Sequence, residues 1–127
     1  MAALIDLFVY GLLMPGQSGY ADLDLARRAQ HLGAGRISGT LHDLVDYPGL
    51  ILGGAGIVHG ELLRSDEPDL LAELDAYELY DPENISGSEY QRVRIALLDG
   101  AEVAWTYVYS RPLDGQPVIA SGDWRNR

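Results

Sequence analysis

Cysteine is missing from all 127 positions, which removes disulfides, thiolate nucleophiles and every zinc or iron–sulfur site built on that residue. A reducing compartment is permitted. Positive charge is also scarce: nine Lys and Arg stand against nineteen Asp and Glu, a formal charge of -10. A chain of that sign repels phosphate backbones and anionic lipid, so neither nucleic acid nor a membrane is an expected partner. The acids are scattered among apolar runs rather than gathered in a block, which argues against mimicry of nucleic acid. No stretch reaches the roughly 18 apolar residues of a membrane span. The N-terminus lacks the basic region of a secretory signal, and Asp6 interrupts its apolar residues. Cytoplasmic location is the expectation.

What is present is an ordinary globular mixture, 47% hydrophobic and 22% charged. The length suits one domain, and no repeat, low-complexity tract or linker divides it, so residues 1–127 are expected to fold as a single unit. Leu4 to Tyr10 reads as a buried strand, and Gly11 to Gly19, with three glycines and a proline, as a loop. Apolar spacing predicts a helix over Tyr20 to Leu32 with Gly33 as its C-terminal cap. Strands are expected at Arg36 to Leu41, Leu50 to Leu52 and Ile57 to Leu63, punctuated by Tyr47-Pro48-Gly49 and Gly53-Gly54-Ala55-Gly56. Ser65 is a good N-cap for a helix from Asp66 to Tyr80. Two alternating runs, Tyr90 to Ile95 and Val103 to Val108, flank Asp99-Gly100, a strong hairpin signal, and the tail from Ser110 is irregular. Many strands with two helices predict an α+β fold: a small mixed, largely antiparallel β-barrel with flanking helices.

Helical spacing singles out Glu78. At 100° per residue it falls between Leu74 and Leu71 on the apolar stripe of the second helix, so a carboxylate points at the core. Burial and the negative end of the helix dipole both disfavour its charge, raising its pKa toward the value a general acid/base needs near neutrality. The other reading of the same spacing is that the helix has ended by this point and the side chain faces solvent. Asp75 lies at the stripe's edge and reads as a surface or capping residue, while Asp69 and Glu73 read as a solvated face. The glycine-containing turn Tyr10-Gly11-Leu12-Leu13 either leaves backbone N–H groups free to bind a carboxylate or oxyanion, or is a plain connection. His31, His42 and His59 show no metal-ligand spacing, and neither a P-loop lysine nor a nucleophile-elbow serine is present. No metal or other cofactor is expected.

The same positions carry a family resemblance. Phe8-Val9-Tyr10-Gly11-Leu12-Leu13 with Pro15-Gly16 resembles the Tyr-Gly-Thr/Ser-Leu loop that opens γ-glutamylcyclotransferase-like domains. Gly39-Thr40-Leu41, Tyr47-Pro48-Gly49, Val58-His59-Gly60-Glu61-Leu62, Leu74-Asp75-Ala76-Tyr77-Glu78, Tyr90-Gln91-Arg92-Val93, Trp105 to Tyr109 and Ser121-Gly122-Asp123-Trp124 follow in the family's order, covering almost the whole chain. The resemblance implies release of a γ-glutamyl group as 5-oxoproline, with Glu78 as acid/base. It also implies that Tyr10, Gly11, Leu12 and Leu13 cradle the glutamyl end, with Tyr90 as a further substrate-binding candidate. The implied partner is a small γ-glutamyl amine or peptide, and oligomeric state stays open. Leu12 stands where the family usually has Thr or Ser, and Met14 where Arg or Lys is common. That departure keeps open an alternative, a non-catalytic small-molecule binding protein with a degenerate pocket.

Overall fold

The computed structural model describes residues 4–100 and 102–127. Ile5–Val9 (β1) is the apolar run read as a first strand, and Leu7, Phe8 and Val9 are buried. It lies between Pro48–Ser65 (β3), to which it is antiparallel, and Val103–Tyr109 (β5), to which it is parallel. Gln30–Asp43 (β2) pairs with β3, and Tyr90–Ala96 (β4) pairs with β5 across the turn at Asp99-Gly100, giving one mixed sheet in the order β2-β3-β1-β5-β4. A strand with neighbours on both sides and cover on both faces needs apolar residues throughout rather than alternation, as β1 has.

Three expectations require correction. The sheet is open: β2 and β4 are its edges, and no ladder among the described residues joins them into a barrel. The pair β2 and β3, 14 and 18 residues long, runs as a two-stranded ribbon far past five-residue β1, so the strand lengths do not match as closure requires. The expected helix over Tyr20 to Leu32 is two short ones, Ser18–Asp22 (α1) and Leu25–Arg28 (α2), separated by Asp24 in the left-handed region. Beyond them Gln30 and His31 already pair with Arg64 and Leu63, so Gly33 is not a cap but a residue of β2 beside a bulge at Leu32. Strand pairing with β3 has overridden local helical spacing here.

The second helix is Leu70–Tyr77 (α3), shorter than expected at both ends. Ser65 does not start it. It closes β3 opposite Ile5, its hydroxyl accepting from the Glu67 N–H at 3.1 Å and donating to the Arg28 carbonyl at 2.8 Å. The four residues Gly53 to Gly56 form a bulge within β3, since Ser38 pairs with Ile57 and Gly39 with Leu52. The irregular tail crosses back over the sheet, with Val118 bridging to His42 and Trp124 buried.

Candidate functional site

The helix α3 ends in a way that fixes Glu78. The Leu79 N–H bonds the Ala76 carbonyl at 3.2 Å and the Tyr80 N–H bonds the Asp75 carbonyl at 2.8 Å, the paired closure of a Schellman motif. Glu78 is therefore the C-cap residue, and Leu79 takes the left-handed position usually given to glycine, with φ 55°. The side chain at the cap still follows the stripe of fully buried Leu70 and Leu74 and enters a cavity of about 230 Å³.

Tyr10, Gly11, Leu12, Leu13 and Tyr90 line that same cavity, so all six residues singled out in the sequence are brought together. The Glu78 carboxyl has no hydrogen-bond partner among the described residues, and burial, followed by the nearby Glu89 charge, pushes its pKa up to about 8. Gly11 packs where a Cβ would lie 2.7 Å from Pro48 Cγ, so only glycine lets the loop close against the start of β3. Within the loop the Leu12 carbonyl accepts from Tyr20 and the Gly11 carbonyl from Met14. The N–H groups of Gly11, Leu12 and Leu13 meet no acceptor among the described residues. Unpaired donors beside a cavity are the feature that an anionic or carbonyl oxygen can satisfy.

The aromatic wall is tied down by its hydroxyls. Tyr10 donates to the Tyr107 carbonyl at 2.5 Å, Tyr90 to the Pro48 carbonyl at 2.5 Å, and Tyr107 to Asp75 Oδ1 at 2.8 Å. Burial raises all three phenols, so they stay neutral and serve as fixed surfaces. For Tyr90 the donor proton is thus already committed to the backbone.

Asp75 corrects the sequence reading: it is buried rather than a surface residue, held by Arg92 through Nε at 2.8 Å and Nη2 at 3.2 Å as well as by Tyr107. Two further residues were not legible. Glu89, which reads as the end of a polar loop, is buried in the cavity wall, and Tyr47 donates to its Oε2 at 2.6 Å. That bond, above all, raises the Tyr47 phenol to about 12. Met14, at the position where the family often carries a cation, is fully buried in the core. Among the described residues no cluster of three or more metal-ligating side chains occurs, and no helix is long and apolar enough to cross a membrane.

Comparison with known proteins decides the family. The model of the γ-glutamyl cyclotransferase, AIG2-like family matches residues 7–126. The chain belongs to the γ-glutamylcyclotransferase family. It is 42% identical over 122 residues to the γ-glutamylcyclotransferase family protein YtfP of Escherichia coli K12, covering 95% of this chain and 96% of that one. The solution NMR structure of ytfP from Escherichia coli superposes with a TM-score of 0.68 at 39% identity, over 97% of this chain and 100% of that one. An AIG2-like protein from Mus musculus gives a TM-score of 0.66 at 26% identity, over 84% and 78% of the two chains. The mixed α+β architecture is thus that of the γ-glutamylcyclotransferase family.

Proposed function

We propose that the chain is a γ-glutamylcyclotransferase-type enzyme that releases 5-oxoproline from a γ-glutamyl amine or peptide, with Glu78 as general acid/base. The observation that carries this reading is the meeting of Glu78, its pKa raised to about 8, with the 10–13 loop in one cavity. In this reaction the substrate's α-amine attacks its own γ-carbonyl. A new C–N bond closes the five-membered ring, the original amide C–N bond breaks, and no enzyme nucleophile is required because attack is already intramolecular.

Two protons have to move. An α-ammonium has a pKa of about 8, and Glu78 matches it closely enough to accept the proton without a large uphill transfer. The same carboxylic acid then protonates the departing amine. The free N–H groups of Gly11, Leu12 and Leu13 support the reading by offering donors to the developing γ-oxyanion or to the substrate α-carboxylate. Binding through the backbone also makes a hydroxyl at position 12 dispensable.

The test is 5-oxoproline release from a panel of γ-glutamyl amines and dipeptides by wild type and Glu78→Gln. Release by wild type, lost by at least about a hundredfold in the variant, is the expected result for removal of an acid/base. No release from any substrate would overturn the reading.

A further inference from the structure

Glu89 is a second carboxylate in the cavity, and the reaction above gives it no task. Its residue is 7% exposed, and its backbone is clamped on both sides, its N–H to the Leu79 carbonyl at 3.0 Å and its carbonyl to the Ser110 N–H at 2.8 Å. One oxygen, Oε2, accepts from Tyr47; the other, Oε1, lies 3.7 Å from Arg111 Nη1, beyond hydrogen-bond reach. Arg111 is itself half-exposed and outside the cavity lining. A carboxylate this buried, with one neutral donor and one loose cation, is under-compensated unless a ligand supplies positive charge.

The lining as a whole points the same way. Its ionisable side chains are carboxyls and phenols, with no Lys, Arg or His among them. Glu78 and the 10–13 loop serve the glutamyl end in the reading above. Glu89 sits where the 81–88 loop joins β4 and where the tail leaves Ser110, the region left for the departing amine.

We infer that Glu89 is a specificity residue that binds an ammonium group on the leaving side of the substrate. The preferred substrates are then γ-glutamyl amines carrying a second, cationic amino group, and γ-glutamyl amino acids, whose leaving-side carboxylate would approach Glu89, are disfavoured. This rests on the γ-glutamyl reading proposed above. Tyr47 is its positioning residue, because its hydroxyl fixes Oε2 and leaves Oε1 to the ligand.

The test separates binding from turnover. Dissociation constants are measured by calorimetry on Glu78→Gln protein, which does not consume ligand, for γ-glutamylputrescine and for γ-glutamylpentylamine, where a methyl replaces the terminal ammonium. The expected preference for the charged ligand is about tenfold, the scale of one charge-assisted hydrogen bond. Adding Glu89→Gln brings the two ligands to within about twofold of each other, whereas adding Arg111→Ala, an exposed change, widens the gap by removing a competing cation. Equal binding of the two ligands, or a gap that survives Glu89→Gln in protein shown by circular dichroism to be folded, overturns the inference. Should Glu89→Gln fail to fold, an unchanged or narrower gap in Arg111→Ala overturns it instead. A Glu89-dependent gap without 5-oxoproline release from wild type would refute the reaction and leave this ammonium site standing.

Discussion

Asp75 of α3 and Arg92 of β4 meet in a two-point pair, and Tyr107 of β5 donates to the same Asp75 oxygen that Arg92 Nε contacts. The last turn of α3 is thereby fastened to two strands of the sheet three residues before Glu78. Because Tyr107 also accepts the Tyr10 hydroxyl through its carbonyl, the same residue links helix end, sheet and 10–13 loop.

Asp75→Ala leaves the partly buried Arg92 without its partner and Tyr107 without an acceptor. The expected loss is about 3 kcal/mol in chemical denaturation, with 5-oxoproline release falling as Glu78 loses its anchor. A loss under about 1 kcal/mol would place this pair with exposed ones and end the anchoring argument.

Stability should depend on pH through Glu78. Its folded-state pKa is raised from 4.5 to about 8, so the stability it contributes is fully present below pH 4.5 and is lost as pH rises through 8. Glu78→Gln cannot titrate. Paired melting curves should show wild type losing ground to the variant between pH 4.5 and 8, with a constant difference outside that window. A difference independent of pH would mean that the carboxyl is solvated.

Leu79 occupies a left-handed position with its side chain 61% exposed. That conformation costs a non-glycine residue about 1–2 kcal/mol, while glycine adds unfolded-state entropy of about 0.4–1 kcal/mol. Leu79→Gly should therefore stabilise by about 0.5 kcal/mol in urea denaturation. Destabilisation would show that Leu79's contacts at the cavity edge outweigh its backbone strain.

Met14→Lys would restore the charge common in the family, yet the site is fully buried. An ammonium placed there without a partner should cost several kcal/mol and lower the yield of folded protein. Unchanged denaturation would indicate that the lysine stem snorkels its charge out to water.

Elements set by local signals were legible in the sequence: β1 as an apolar run, the β4–β5 hairpin from its alternation and turn, the glycine bulge in β3, and Glu78 from the stripe of α3. Elements set by distant partners were not. Gln30 to Leu32 look helical alone and become strand because Arg64 and Leu63 pair with that stretch. Asp75 looks like a surface acid until Arg92, 17 residues on, is brought against it. Glu89 gave no signal, since nothing in its neighbourhood reveals that Tyr47, 42 residues earlier, will hold it in a cavity wall.

The placement of β1 between β3 and β5 sets a timetable for synthesis on the ribosome. Within this chain β1 is among the first segments made, yet Thr106 Oγ1, which donates to the Phe8 carbonyl, follows it by 98 positions. At ordinary elongation rates that is a wait of about 5 to 20 seconds, during which the apolar β1 has at most one of its two flanking strands. The cavity draws walls from residues on both sides of this interval, so no growing chain carries a partial site, and capacity to bind arrives in one step when β5 inserts.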